Sequence, residues 1–203
     1  MVLEKHLASN ITDTSKEELF AIGSKQNLLD STNDYNVIVR DLINNELVIK
    51  MKDYIQHGHT TCYQHCVNVS YYSYIISKRL KLDYLSAARA GLLHDFFLYD
   101  WHNLNEKVPL FKMHGFTHPQ KALDNAKKHF ELNEKEEDII LKHMWPLTAK
   151  LPKYKESLVI ILVDKVCCIS EFFKEKKWFR LLFGLNYNPN DFIRKNKNYP
   201  FNG

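Results

Sequence analysis

The sequence predicts an all-α protein, a single helical domain, and three observations predict it. There are only 6 Gly and 6 Pro in 203 residues, fewer than turn-rich sandwiches and barrels need. The long periodic segments repeat their apolar residues at helical spacing rather than alternating. Helix-start signals stand where such segments begin: Thr117 with Gln120, and Asn133 with Glu136. No sheet is expected beyond a short hairpin.

Taken in order, residues 1–34 are polar and form an expected N-terminal arm, with the domain proper over 35–203. From Tyr35 to Gln56, Val39, Leu42, Ile43, Leu47, Met51, Tyr54 and Ile55 read as one amphipathic helix, which His57-Gly58-His59-Thr60-Thr61 breaks. A second helix follows over Cys62 to Leu80, with His65, Val69, Tyr72 and Ile76 on its inner face. A third runs from about Tyr84 to Phe97, with Leu85, Ala88, Leu92 and Asp95 on one stripe. Its Ala87, Ala88, Ala90 and Gly91 are small enough for another helix to approach closely. Leu98 to Phe116 is a loop, long enough to suspect function. The fourth helix starts at Thr117-His118-Pro119-Gln120 and reaches about Phe130. The fifth starts at Asn133 and ends before Pro146. The last covers about Glu156 to Lys174.

Composition narrows the function. Hydrophobic residues make up 45% and charged residues 26%, as in ordinary globular proteins. With 28 Lys and Arg against 24 Asp and Glu, the formal charge is +4. That suits an anionic small molecule as partner, and it is too weak to indicate a nucleic-acid polymer. No apolar run is long enough for a bilayer, so no membrane partner is expected; Leu158 to Ile169 is interrupted by Asp164 and Lys165. Met1 to Thr14 lacks the apolar core of a signal peptide. Cys62, Cys66, Cys167 and Cys168 sit inside helical patterns rather than in a disulfide framework, so core packing and a cytoplasmic location are expected.

The chemistry-bearing residues stand out as anomalies. Of ten histidines, eight lie between His57 and His129. Asp164 sits in Leu158-Val159-Ile160-Ile161-Leu162-Val163-Asp164-Lys165-Val166-Cys167-Cys168-Ile169, with almost wholly apolar turns on both sides. A buried carboxylate there needs a cation, either a metal or a basic group from elsewhere. Lys165 projects about 100° away around the helix and is a poor partner. His94-Asp95 ends a close-packed helix. His65 lies on an apolar face, where a satisfied core histidine is the commoner case. His118 and His143 stand at helix boundaries.

In chain order these residues read His65, His94-Asp95, His118, His143, Asp164, each gap long enough for a helix and a connection. This ordered set resembles the HD superfamily of metal-dependent phosphohydrolases over roughly Tyr35 to Phe173. The stretches Leu92-Leu93-His94-Asp95, His118-Pro119 and Val163-Asp164-Lys165 match it too. The resemblance implies an HD-type helical bundle in which His65, His94, Asp95 and Asp164 hold a first divalent metal. His118 and His143 would hold a second, with Asp95 bridging the pair. Fe, Mn, Zn, Co and Ni all suit such donors. Metal hydroxide attack on a phosphate ester of a nucleotide or small metabolite is the implied reaction. His94 and Asp95 are its catalytic pair, Asp95 orienting or deprotonating the water. After His143 the chain reads Met144-Trp145-Pro146-Leu147, without the Gly-Tyr-Pro of the cyclic dinucleotide phosphodiesterases. The lysine that branch carries soon after its His-Asp is missing as well, which argues against that substrate. The resemblance is closer to small stand-alone bacterial HD proteins. The alternatives are an HD-type di-iron oxygenase and a non-catalytic sensor that uses the site to bind metal or nucleotide.

Around the metal residues, Tyr99 and Lys112 of the long loop, His114 four residues before His118, and Lys165 are candidate substrate contacts. For the loop, a lid and a surface loop packed by its own aromatics are equal readings. Lys142 and Arg89 are weaker candidates for phosphate.

Overall fold

The computed structural model describes residues 34–57, 59–100, 114–173 and 181–182. The chain divides into two compact units, Met1–Val37 and Ile38–Gly203. The elements below belong to the second, and the expected arm lies, save for Asp34, outside the described residues.

Among its described residues the second unit is mostly helical, with one small hairpin. Two short helices, α1 (Arg40–Ile43) and α2 (Glu46–Lys50), lead through a 3₁₀ turn at Met51–Asp53 to strands β1 (Ile55–His57) and β2 (Thr60–Thr61). The strands pair antiparallel, Ile55 opposite Thr61 and His57 opposite Thr60, across a bulge. The helices α3 (Cys62–Arg79), α4 (Tyr84–Leu93), α5 (His114–His129), α6 (Glu134–Lys142) and α7 (Lys155–Phe173) follow.

The continuous helix expected over Tyr35 to Gln56 is therefore corrected. Asn45 turns extended and its side chain accepts from the Leu47 amide, so a new helix is capped in mid-segment. The apolar residues still face inward: Val39, Leu42, Ile43, Val48 and Met51 are fully buried. Helical periodicity thus survives while the backbone breaks between turns.

Helix α3 is the centre of the unit. Thr61 caps it by accepting from the Gln64 amide at 3.1 Å. From Cys62 to Tyr74 every residue but Gln64 is buried, so it has no solvated face over that stretch, whereas Ile76 is only half-buried. Helices α4 and α7 both pack on it. The crossing with α4 is close because Gly91 meets Ser70 of α3. A Cβ on Gly91 would lie 2.9 Å from Ser70 Cα, and the Ser70 hydroxyl donates to the Ala88 carbonyl. Leu85, expected on the inner stripe, is 50% exposed, whereas Ala88, Leu92 and Asp95 of that stripe are buried, as are Ala87 and Ala90 beside it.

Helix α4 stops at Leu93 with His94 as its C-cap, short of the expected Phe97. Helix α5 already exists at His114, so Pro119 lies inside it rather than in its first turn. Helix α6 begins as expected. Asn133 accepts from the Glu136 amide, and the Glu136 carboxylate accepts from the Asn133 amide at 3.0 Å. Helix α6 packs on α4, α5 and α7. Among the described residues no helix is long and apolar enough to cross a membrane.

Candidate metal centre

The close α3–α4 crossing and the placing of α5, α6 and α7 bring six side chains together. His65 comes from α3, and His94 and Asp95 from the end of α4. His118 comes from α5, His143 from the C-cap of α6, and Asp164 from α7. All six are buried. The ring centroids of His65 and His94 are 5.3 Å apart, of His94 and His143 5.0 Å, and of His118 and His143 4.9 Å.

Asp95 stands between two groups of donors. On its Oδ2 side, His94 Nε2 lies at 3.4 Å and His65 Nε2 at 4.0 Å. The same two nitrogens lie 3.8 and 3.1 Å from Asp164 Oδ1. On its Oδ1 side, His118 Nε2 lies at 3.2 Å and His143 Nε2 at 3.5 Å. Ligands that share one ion at bonds of about 2.1 Å stand roughly 3.0–3.4 Å apart when cis or tetrahedral. His94 with Asp95, His65 with Asp164, and His118 with Asp95 fall within that range, His143 with Asp95 at 3.5 Å is close to it, and the 3.8 and 4.0 Å spacings are longer. Among the described residues, three groups of donor atoms could hold a metal ion: His65, His94 and Asp95; Asp95, His118 and His143; and His65, Asp164 and Cys168.

Hydrogen-bond bookkeeping supports the fit. His94 Nδ1 lies 2.8 Å from the Gly91 carbonyl, and His143 Nδ1 lies 2.8 Å from that of Ile140. A carbonyl only accepts, so both Nδ1 atoms carry protons and both Nε2 atoms turn inward. His94 Nε2 and Asp95 Oδ1 are buried with no hydrogen-bond partner. A lone pair facing carboxylates is unfavourable unless a proton or a metal cation stands between them.

The electrostatics agree. Burial would lower the pKa of His94, but the charge of Asp95 and further groups including Asp164 push it up to about 9. Burial opposes a charged His65 likewise, yet Glu171 and Asp164 hold it well above the usual imidazole range. Burial would raise both aspartates; the histidines around Asp95, and His65 with Lys165 beside Asp164, hold them well below the usual carboxylate range. The carboxylates thus demand positive charge at these nitrogens. By contrast His143 is pushed down to about 4 by burial, despite Asp95, which keeps it a neutral imidazole ready to ligate.

A family model described as HD domain matches residues 62–168. The chain belongs to the HD domain family. Members of this family are generally metal-dependent phosphohydrolases, and HD domain proteins bind divalent metals. The matched span runs from the start of α3 through most of α7 and contains all six converging residues. No curated protein and no solved structure matches the chain.

One expectation about this HD domain is corrected. Lys165, expected to be a poor partner for Asp164, has its Nζ 2.7 Å from Asp164 Oδ2 and 3.5 Å from Met144 Sδ. Adjacent positions diverge at Cβ, whereas a four-carbon arm can fold back. Tyr99 is placed beside His118 through Phe97, its ring 5.0 Å from that of Phe97, which in turn is 6.0 Å from that of His118. Lys121 Nζ covers the Tyr99 ring at 4.5 Å. Burial and then the charge of Asp95 push the Tyr99 hydroxyl up to about 12. Lys112 and the His114 side chain lie outside the described residues. Arg89 pairs with Asp41 and Glu136, and Lys142 with Asp138, so both are engaged in ion pairs. Cys62, Cys66 and Cys167 are buried thiols, as expected of core packing. Cys168 is half-buried beside the centre, its Sγ 3.4 Å from Asp164 Oδ1.

Several residues at the centre carried no motif. Gln56 of β1 donates from Nε2 to Asp95 Oδ2 at 2.6 Å. Glu171 accepts at 2.8 Å from His65 Nδ1, and Asn68 donates to its other oxygen at 3.0 Å. Glu171 was legible in one respect: it lies seven residues after Asp164, two turns along the same face of α7.

Proposed function

We propose that this protein is a metal-dependent phosphohydrolase acting on a phosphate ester of a nucleotide or small metabolite. The observation that supports the reading best is the two-sided environment of Asp95. One oxygen faces His65 and His94, the other faces His118 and His143. Divalent ions bound on both sides would supply Lewis acidity toward phosphoryl oxygens and a nucleophilic water near neutral pH.

The chain's own groups prepare that chemistry. His65, His94, Asp95 and Asp164 would hold one ion, His118 and His143 a second, with Asp95 common to both. Gln56 fixes the Asp95 carboxylate, which leaves Oδ1 bare toward His118 and His143. As catalytic groups, Asp95 would orient the attacking water or take its proton, while His94 would share the ligation. Lys165, 43% exposed at its side chain while its Nζ touches Asp164, is placed to meet an anionic substrate, and Tyr99 offers a protonated hydroxyl nearby. The partner is a small anion, and neither a membrane nor a nucleic-acid polymer is required.

The test is a panel of phosphate esters covering nucleotides, phosphodiesters and sugar phosphates, assayed with protein reconstituted with Mn or Fe. Release of phosphate or of a nucleoside monophosphate, abolished by chelation and restored by metal, is expected. Activity that survives complete metal removal refutes the mechanism. Oxygen consumption by iron-loaded protein without ester cleavage would replace it with an oxygenase, and nucleotide binding without turnover would replace it with a sensor.

A further inference from the structure

The polar residues behind His65 form a directed chain. Gln64 Nε2 lies 3.0 Å from Asn68 Oδ1, Asn68 Nδ2 lies 3.0 Å from Glu171 Oε1, and Glu171 Oε2 lies 2.8 Å from His65 Nδ1. Gln64 and Asn68 are one turn apart on α3, and Asn68 is one turn from His65. Glu171 reaches them from α7, three residues beyond the span that the HD family model matches.

The sense of this chain is set by chemistry. A glutamate carboxylate only accepts, so Asn68 must present its NH₂ to it. The Asn68 carbonyl then faces Gln64, which must donate. The second oxygen of Glu171 must likewise receive a proton from His65 Nδ1. With Nδ1–H pinned there, Nε2 is the only nitrogen of His65 that can give up a proton for a metal. It is also the nitrogen that lies 3.1 Å from Asp164.

We propose that Glu171 is a positioning residue that fixes the ring of His65 in the metal-binding tautomer, its carboxylate held in place by Asn68. The inference rests on the proposed metal centre. Carboxylates that receive the second N–H of a ligating histidine typically contribute roughly 10–100-fold to metal affinity.

The sense of the chain makes an unusual variant informative. Glu171→Leu leaves no acceptor for His65 Nδ1–H, so the ring is no longer held in the metal-binding tautomer. In Glu171→Gln the carboxylate that set the sense of Asn68 is gone, and the amides can turn over together: the new NH₂ donates to Asn68 Oδ1 while the new carbonyl still accepts from His65 Nδ1. Adding Asn68→Asp fixes that arrangement. The carboxylate then at position 68 would accept from both Gln64 and the NH₂ at position 171, and the amide oxygen at 171 would accept from His65 Nδ1. The double variant thus keeps an acceptor on His65 Nδ1 with the charge moved one residue along the chain.

The experiment measures Co²⁺ affinity by chelator competition for the wild type, Glu171→Leu, and Asn68→Asp with Glu171→Gln. The ligand-field absorption of bound Co²⁺ is recorded, as is thermal unfolding of each metal-free protein. Glu171→Leu is expected to bind Co²⁺ roughly 10–100-fold more weakly, and the double variant to keep most of the wild-type affinity and spectrum. Equal affinity in Glu171→Leu overturns the proposal, and so does a double variant that binds as weakly as Glu171→Leu. A wild type that binds no Co²⁺ overturns the metal centre itself and the relay with it.

Discussion

Replacing Gly91 with alanine tests whether the close crossing of α3 and α4 sets the geometry of the centre. The added methyl would stand 2.9 Å from Ser70 Cα and 3.2 Å from Ile160 Cδ1. Carbon contacts are comfortable at about 3.5–4.0 Å, so the two helices must part by roughly 0.6–1 Å. The obstacle is backbone, which cannot swing aside as a side-chain end can. Two terms compete in stability. Removing glycine from a helix interior gains about 1 kcal/mol. Forcing a methyl into a full crossing costs about 1–3 kcal/mol. The expected net loss is about 0–2 kcal/mol, with a fall in Tm of roughly 2–4 °C for each kcal/mol. The sharper consequence is at the metal. His65 rides on α3 and His94-Asp95 on the end of α4, and ligand sets tolerate only about 0.5 Å of error. Metal affinity should therefore fall by about tenfold or more, beyond what the stability loss explains. Calorimetry and chelator competition measure the two effects, with Leu85→Ala on the exposed side of α4 as control. A Gly91→Ala protein with raised Tm and wild-type affinity would refute the argument.

Asp95→Ala should remove nearly all bound metal, since its two oxygens face both donor groups. His118→Ala and His143→Ala should each lower metal content while leaving one ion. If wild type loaded with excess metal and both variants carry equal metal near one ion per chain, the two-ion reading is wrong. Away from the centre, Asp138 accepts from the Ser157 hydroxyl at 2.7 Å and the Lys153 amide at 3.0 Å, and it pairs with Lys142. Asp138→Ala should cost about 2–3 kcal/mol in denaturant unfolding, because these partners lose a buried acceptor. Burial would raise the Asp138 pKa, but Lys142, Ser157 and Lys153 hold it below the usual value. A depressed carboxylate stabilises above the unfolded pKa of about 4 and ceases to as pH falls through the folded one. The difference between Asp138→Asn and wild type should therefore shrink as pH drops below about 4, and a difference that grows would show the sign to be wrong.

The parts of the fold legible in the sequence are those in which one local signal coincides with the periodicity. Helix α6 is the clearest: Asn133 and Glu136 form the reciprocal cap that their spacing announces. Helix α3 starts where the His57–Thr61 run ends, because that run is the hairpin and Thr61 is the cap. The same periodicity misleads before it. Residues 39–51 do point their apolar side chains inward, as a helix would, but Asn45 restarts the backbone. Periodicity reports which residues are buried, and two short helices can satisfy it as well as one long helix. The stretch from Thr117 to Gln120 failed for the opposite reason: its capping pattern is present but lies within a helix already running from His114.

At the centre, legibility followed chemical cost. A carboxylate between apolar turns, or a histidine on a buried face, is expensive enough to be visible in one dimension, and Asp164 and His65 were found that way. Gln56, Gln64, Asn68 and Glu171 cost nothing to place in a sequence, since each type is common on helix and strand surfaces. Their meaning arises only when the chain folds: Gln56 of the hairpin meets Asp95, and Gln64, Asn68 and Glu171 meet when α3 and α7 come together. Lys165 shows the limit of the one-dimensional argument from the other side. The 100° between neighbours constrains where Cβ points, and it left out the reach of the ammonium group. The length of a side chain therefore decides how far helical geometry can predict its partner. It holds for Asp164, whose carboxylate stays near its own face, and fails for the lysine beside it.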